Sequence, residues 1–153
     1  SVCLSKGMGA PVGSVLASTK ERIAEARIWR KRYGGGMRQV GILAAACHYA
    51  LDNNIQLLQA DHQRAKKIAL ACQAVSSKII DASTVETNIV ALDLNSLSIT
   101  AAELSTQLKD AGIASSALGP KFLRLVTHLD ITDADIEKVV AILPELLQRS
   151  FVA

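Results

Sequence analysis

The chain contains 153 residues, enough to bury roughly two-thirds of its unfolded surface, so the sequence excludes a disordered protein and favours one compact domain. Hydrophobic residues make up 50% and aromatic residues only 3%, so the core must be built from Ala, Leu, Ile and Val, which favours an α/β or α+β fold. The net charge is +3, and the basic excess lies between Lys20 and Arg38. This segment could form either a solvated helix face or a binding site for an anion.

A short apolar piece opens the chain and leads into a glycine-rich loop that contains Lys6. The apolar piece, Val2–Leu4, has no earlier element to pair with, so we expect the chain to begin inside a longer protein. Glycines at positions 7, 9 and 13 would let the backbone beside Lys6 approach a flat ring without a Cβ collision. This spacing permits a Schiff-base lysine, although an ordinary loop lysine beside a turn is the commoner explanation of the same pattern.

Three helices are expected in the next part of the chain. The Ser18–Glu21 segment has the spacing of a capping box and predicts a helix over about Thr19–Tyr33. The Gly34–Gly36 triplet should end this helix, since glycine is costly inside one. Two further helices are predicted over Met37–Leu51 and Leu57–Val75. The third helix should bury four residues at helical spacing: Ala65, Ile68, Ala69 and Cys72.

Arg38 follows the glycine triplet and is expected in the first turn of the second helix. At that position the free amides, the helix dipole and the guanidinium would all favour negative charge, which predicts an anion or phosphate site. A flexible joint between two helices would explain the three glycines about as well.

The second half of the chain changes to a mixed strand and helix pattern, so we place a domain boundary near Ala82. The Thr87–Leu94 segment is largely apolar and predicts a strand. The Thr100–Glu103 segment is a second capping box, which opens a helix expected to stop at Gly112. The expected order beyond the boundary is strand, helix, strand and helix.

The predicted strand Phe122–Leu129 carries an arginine among apolar neighbours. Its alternation places Arg124 on one face and both Leu123 and Leu125 on the other. An arginine in such a place needs a carboxylate partner, which could belong to the protein or to a substrate. The last helix is expected to begin at Thr132 and to bury an apolar stripe.

The cysteine content and the apolar runs indicate the compartment. The three cysteines are far apart and odd in number, which favours free thiols in a reducing compartment and therefore the cytoplasm. The longest apolar run, Val40–Leu51, is interrupted by His48 and is too short to cross a bilayer. We therefore expect no membrane segment and no signal peptide. The histidines lack ligand spacing, so no metal site is predicted.

Taken in order, several segments resemble the low-specificity L-threonine aldolase family. The Val2–Ser14 segment is similar to the segment around the cofactor-binding lysine of that family, and Glu25–Gln39 is similar to the segment that follows it. Three later segments look like the family's C-terminal domain: Thr87–Val90, Ala117–Pro120 and Leu123–Asp130. The likeness covers essentially the whole chain.

The resemblance implies the C-terminal part of a fold-type I pyridoxal-phosphate enzyme with an α/β fold. Residues 1–81 would be the remainder of the large cofactor-binding domain, and residues 82–153 a small C-terminal α+β domain. The family's phosphate-cradling loop, ring-stacking histidine and aspartate partner of the pyridine nitrogen are not found in this sequence. We therefore expect the chain to require the N-terminal portion of the same enzyme and to be inactive alone.

The resemblance also implies roles for individual residues. Lys6 would carry the pyridoxal 5'-phosphate, Arg38 would help to hold the cofactor phosphate, and Arg124 would bind the substrate carboxylate. Lys31 is a weaker candidate near the same site. The implied reaction is retro-aldol cleavage of L-threonine, or a related β-hydroxy-α-amino acid, to glycine and an aldehyde. A small amino-acid substrate and a homo-oligomer are expected, without a nucleic-acid partner.

Two alternatives remain open at this point. A related fold-type I enzyme, such as a β-eliminating lyase or an amino-acid racemase, would share the lysine, phosphate and carboxylate contacts. A non-catalytic α/β fragment, which associates through its helical surfaces and binds no cofactor, belongs to a different class of function.

Overall fold

The computed structural model describes residues 1–151, and the contacts between residues divide the chain into two compact units. The first unit comprises Ser1–Leu57, and the second begins at Leu58. The sequence placed a boundary near Ala82, and the long helix that starts at Leu58 belongs instead to the compact unit of the C-terminal elements. How these parts correspond to the domains of a longer enzyme stays a prediction. No helix within residues 1–151 is long and apolar enough to cross a membrane.

The first unit consists of a short antiparallel ladder and two helices. Strand β1 (Val2–Cys3) pairs with β2 (Ser14–Val15), and helices α1 (Lys20–Arg32) and α2 (Gly41–Asn53) follow. Helix α1 buries none of its residues, and α2 buries only Ala50. The small apolar cluster of this unit has three buried members: Leu4, Ala10 and Ala50.

Helix α1 confirms the first predicted helix, but its cap differs from the prediction. Thr19 is the N-cap residue, and its side chain accepts a hydrogen bond from the backbone N–H of Arg22 at 3.4 Å. The helix therefore starts one residue later than the predicted cap requires, and its third position is Arg22. The capping box predicted for Ser18 and Glu21 is wrong for this reason.

The second unit is a three-stranded antiparallel sheet with helices packed on one face. Its elements in chain order are α3 (Leu58–Val75), β3 (Ile89–Asp93), α4 (Ala101–Asp110), β4 (Ser116–Gly119), β5 (Phe122–Val126) and α5 (Asp133–Arg149). The strand order is β3-β5-β4, so β5 is central and both neighbours run antiparallel to it. The predicted element order missed β4, because this short strand contains no β-branched residue.

The core of the second unit lies between the inner face of the sheet and the helices. Alternation along β3 and β5 directs four buried residues inward: Val90, Leu92, Leu123 and Leu125. Helix α3 buries the four residues predicted for it, and α5 buries a matching stripe: Ile136, Val139, Leu143 and Leu147. Burial also raises the pKa of the Cys72 thiol to about 12, so this thiol stays protonated at neutral pH.

Helix α4 begins with the predicted capping box. The Thr100 side chain accepts a hydrogen bond from the Glu103 backbone N–H at 3.2 Å, and the Glu103 carboxylate accepts from the Thr100 backbone N–H at 2.8 Å. The Thr100 amide and hydroxyl lower the pKa of Glu103, because they stabilise its charged form. At the other end, Gly112 has a φ of +75°, which confirms the predicted helix stop.

The capping box gives a stability prediction for the variant Thr100→Ala. This substitution should lower the free energy of unfolding by about 1 kcal/mol, because it leaves helix-terminal N–H groups without their partner. Urea denaturation followed by circular dichroism measures the change. The matched control is Thr106→Ala, which removes a hydroxyl that bonds to the Ala102 carbonyl at 2.9 Å within the same helix. Thr106→Ala should not lower the free energy of unfolding, since Ala is the better helix former. An equal decrease in both variants would contradict the capping role of Thr100.

Candidate functional site

Lys6 lies in the loop that joins β1 to β2. The Leu4 N–H donates to the Gly13 carbonyl at 2.9 Å, and the Ala10 N–H donates to the Leu4 carbonyl at 3.0 Å, so the loop is closed at its base. Inside the loop, the Gly9 N–H donates to the Lys6 carbonyl at 2.8 Å. Gly9 has a φ of +71°, which a residue with a Cβ rarely adopts. The backbone of Lys6 is therefore held in place while its side chain is exposed.

The thiol of Cys3 lies beside the same loop. Its Sγ is 3.4 Å from the Ser5 hydroxyl oxygen. The Ser5 hydroxyl and amide and the Ser14 hydroxyl lower the pKa of Cys3, and the positive charge of Lys6 lowers it further. No sequence motif marks this thiol, because its surroundings depend on how β1 and β2 pair.

Arg38 lies in a turn before α2 and not in the first turn of a helix. Helix α2 begins at Gly41, beyond the predicted start at Met37. Gln39 has a φ of +54°, outside the right-handed helical region, so the helix does not extend back to Arg38. The predicted combination of Arg38 with helix-terminal amides is therefore wrong. The Arg38 side chain is exposed, and its role toward a phosphate stays a prediction.

The glycine triplet folds the chain back against the end of α1. The Gly35 N–H donates to the Arg30 carbonyl at 2.8 Å, and Gly34 has a φ of +80°. A Cβ at Gly35 would lie 2.7 Å from the Arg30 Cγ, and a Cβ at Gly36 would lie 2.8 Å from the Lys31 Cδ. At Gly35 the approach includes the Arg30 carbonyl oxygen at 3.0 Å and disfavours a side chain, whereas at Gly36 the flexible Lys31 side chain can move aside. The triplet forms a turn at the end of α1.

Arg124 lies at the centre of the outer face of the sheet, as the alternation of β5 predicts. Its cross-strand neighbours are Ala91 on β3 and Ser116 on β4. The Arg124 Nε is buried and has no hydrogen-bond partner, and no carboxylate within residues 1–151 forms an ion pair with this arginine. The guanidinium thus makes no ion pair or hydrogen bond with the described residues, which leaves it available to a carboxylate from outside them.

A buried polar network, which the sequence did not indicate, fixes the end of β5 to α3. The Thr127 hydroxyl donates to the Asp61 carbonyl at 2.7 Å, and the Thr127 N–H donates to the Asn88 carbonyl at 3.0 Å. Arg64 lies 3.5 Å from the buried Asp61 carboxylate and donates to Asp133 at 2.8 Å. Asp61 was missed because an acidic residue in the first turn of a helix is typical of an exposed position.

The predicted site residues are therefore distributed over both units. Lys6 and Arg38 lie in the first unit, with Lys31 in the last turn of α1, and Arg124 lies in the second unit. The side chains of Lys6 and Arg38 form no ion pair and no hydrogen bond with other residues of the described part, and are free for a ligand. Within residues 1–151, no group of three His, Cys, Asp or Glu side chains is placed to hold a metal ion.

A solved enzyme structure has the same fold. The 8-amino-7-oxononanoate synthase from Francisella tularensis matches with a TM-score of 0.70 and 23% sequence identity, over 97% of this chain and 46% of that one. At this identity the match shows the fold alone. It confirms the predicted α/β fold of a fold-type I enzyme.

Sequence comparison identifies the family. The beta-eliminating lyase family matches residues 1–95, and the chain belongs to that family. The chain is 39% identical over 142 residues to the probable low-specificity L-threonine aldolase 2 of Arabidopsis thaliana, and 40% identical over 140 residues to the low specificity L-threonine aldolase of Escherichia coli strain K12. Each match covers 92% of this chain and 40% of the relative. The resemblance to these aldolases is confirmed, and the chain spans about two-fifths of their length.

Proposed function

We propose that this chain is part of a longer pyridoxal-phosphate enzyme that cleaves L-threonine, or a related β-hydroxy-α-amino acid, to glycine and an aldehyde. The aldolases that are 39% and 40% identical to the chain support this proposal. The observation that carries it is the position of Lys6, an exposed amine on a loop whose backbone is held by hydrogen bonds on both sides.

The residues of the Lys6 loop fit the cofactor. An amine that bonds covalently to the aldehyde carbon of pyridoxal phosphate must be accessible, and Lys6 is exposed. Gly9 and Gly13 have positive φ values, so the path of the loop that carries Lys6 depends on these two glycines. Arg38 would contribute positive charge toward the cofactor phosphate, with Lys31 as a weaker candidate for the same task.

Bound pyridoxal phosphate would supply an electron sink for the negative charge left at the substrate Cα when the Cα–Cβ bond breaks. The task of the protein is to fix the orientation of that bond. Arg124 would do so by holding the substrate carboxylate with two parallel hydrogen bonds from its planar guanidinium. The unpartnered guanidinium on the outer face of the sheet supports this role.

The proposal extends to the organisation of the whole protein. Residues 1–81 would belong to the large cofactor-binding domain and residues 82–153 to a small domain. We also infer a homo-oligomer in the cytoplasm. The three cysteines support a reducing compartment, because all of them are free thiols. The chain of 153 residues alone would be inactive.

The reaction type is tested by the products that the intact enzyme releases from L-threonine. Retro-aldol cleavage gives glycine and acetaldehyde in equal amounts. A β-elimination, which the family name makes the second candidate, would give 2-oxobutanoate and ammonia instead. We expect glycine and acetaldehyde, measured by chromatography and by a coupled alcohol dehydrogenase assay. Formation of 2-oxobutanoate as the main product would contradict the aldolase proposal and would favour a β-eliminating lyase.

The covalent role of Lys6 is tested by borohydride reduction of the intact enzyme loaded with pyridoxal phosphate. Peptide mapping by mass spectrometry should place the reduced pyridoxyl group on Lys6, because its amine is exposed and has no partner. The variant Lys6→Ala should take up no label. Lys20→Ala, at the exposed start of α1, is the matched control and should be labelled normally. A pyridoxyl group on any other lysine would overturn this assignment.

The role of Arg124 is tested by the affinity of the intact enzyme for glycine. Loss of a charge-assisted bidentate pair costs roughly 1.5 to 3 kcal/mol, so Arg124→Ala should weaken glycine binding by about tenfold to a hundredfold or more. Arg124→Lys should recover only part of the loss, since a point charge does not reproduce the planar fork. The covalently bound cofactor should be retained, and its absorbance change on adding glycine gives the Kd.

The matched control for Arg124 is Arg149→Ala, which removes an exposed arginine of the same unit that pairs with Glu145 at 3.4 Å. This variant should bind glycine normally. If glycine affinity were equally unaffected in Arg124→Ala, the substrate carboxylate would have to bind elsewhere.

A further inference from the structure

The outer face of the sheet surrounds Arg124 with short side chains in one direction and bulky ones in the other. In the row across the strands, Arg124 lies between Ala91 and Ser116. Along its own strand the next residues on the same face are Phe122, which is 43% exposed, and Val126, which is 41% exposed. The row of Ala91, Arg124 and Ser116, which we call the trough, therefore has short residues beside the arginine and lies between the bulkier Phe122 and Val126.

The two ends of this trough differ in charge and in hydrogen-bonding capacity. On the β3 side, Asp93 shares the outer face with Ala91, and its cross-strand partner is Phe122. Asp93 is therefore the diagonal neighbour of Arg124, a relation that places residues about 7 to 8 Å apart, and its negative charge disfavours an anion on the β3 side. On the β4 side, Ser116 offers a hydroxyl that makes no hydrogen bond to other residues of the described part.

The buried Nε further restricts how Arg124 can bind a carboxylate. Because this atom is covered, a ligand reaches the guanidinium through its terminal Nη1 and Nη2 groups. The row neighbours at positions 91 and 116 have short side chains, whereas a long side chain at either position would occupy space beside the arginine.

We propose that Ser116 is a substrate-binding residue that fixes which side of Arg124 the amino-acid carboxylate occupies. The proposal rests on the assigned role of Arg124 in the proposed function. The carboxylate lies over Ser116, accepts hydrogen bonds from the Arg124 terminal nitrogens, and accepts a further one from the Ser116 hydroxyl. The Ala91 side stays empty because Asp93 disfavours an anion there. The side chain at position 116 thus determines where the acidic group of the ligand binds and limits how large that group can be.

The test is a set of four variants of the intact enzyme, with glycine as the probe and the absorbance of the covalently bound cofactor as the readout. Ser116→Ala should weaken glycine binding by about tenfold, the lower end of the loss expected for one hydrogen bond to a charged group. Ser116→Leu should weaken glycine binding by at least about tenfold, because the leucine side chain also occupies the position of the carboxylate. Ser116→Thr should bind as the parent does, since it keeps the hydroxyl and suits a strand.

Ala91→Leu is the matched steric control, because it places the same side chain on the opposite side of Arg124. This variant should change the glycine Kd by less than about twofold. Glycinamide, which lacks the carboxylate, supplies a second readout. In Ser116→Ala it should lose less affinity than glycine does, because its neutral carboxamide accepts a weaker hydrogen bond from the hydroxyl, so the preference for glycine over glycinamide should shrink in that variant. Ser116→Leu should weaken the binding of both ligands, since the carboxamide is nearly as large as the carboxylate.

The outcomes separate this inference from the function on which it rests. If Arg124→Ala weakens glycine binding while Ser116→Leu does not, Arg124 keeps its role and the assignment of Ser116 is wrong. A larger loss in Ala91→Leu than in Ser116→Leu would place the carboxylate on the β3 side and overturn the proposal. Loss of glycinamide and glycine affinity to the same extent in Ser116→Ala would mean that position 116 is structural.

Discussion

The period-two alternation of the central strand β5 is the constraint on which the second unit depends. Leu123 and Leu125 point into the core, where burial of each contributes roughly 1.5 to 3 kcal/mol, and Arg124 between them must then point outward. Because β5 has a strand on either side, its outer face is also the middle of the sheet. Core packing and the presentation of the arginine are therefore two results of one backbone geometry.

The first unit presents its lysine by a similar principle on a smaller scale. Leu4 and Ala10 are buried in the apolar cluster, and the Ala10 N–H bonds to the Leu4 carbonyl, so the segment between them is anchored at both ends. Lys6 lies within that segment and remains exposed. In both units a cationic side chain outside the core gains a defined backbone position from apolar residues a few positions away.

Much of the second unit could be predicted from the sequence because its signals are local. The Thr100 capping box, the stop at Gly112 and the buried side of α3 all follow from spacings within one element. The start of α2 could not be predicted in this way, since it depends on the positive φ of Gln39, which is not a glycine. Strand β4 was missed because it is held by pairing with β5 and has little strand propensity of its own.

The sequence could predict which residues belong to the candidate site, but not how they are arranged in space. Alternation placed Arg124 on the correct face of β5, whereas its neighbours Ala91 and Ser116 come from strands that are distant in sequence. Only the register of the sheet brings them together. The same holds for Asp61, whose burial depends on the end of β5 and not on the pattern of its own helix.

The hydrogen bonds of Thr127 have a consequence for how the protein tolerates changes in chain length. The residue bonds through its hydroxyl to Asp61 on α3 and through its backbone to Asn88, so the far end of β5 has a fixed register. Deleting one residue from the β4–β5 turn would shift the register of β4 against β5. The register of β5 itself would not change, because the hydrogen bonds of Thr127 fix its far end. A one-residue slip reverses which side chains face the core. The hairpin turn, although exposed, is therefore a poor place for natural length variation or for an engineered insertion.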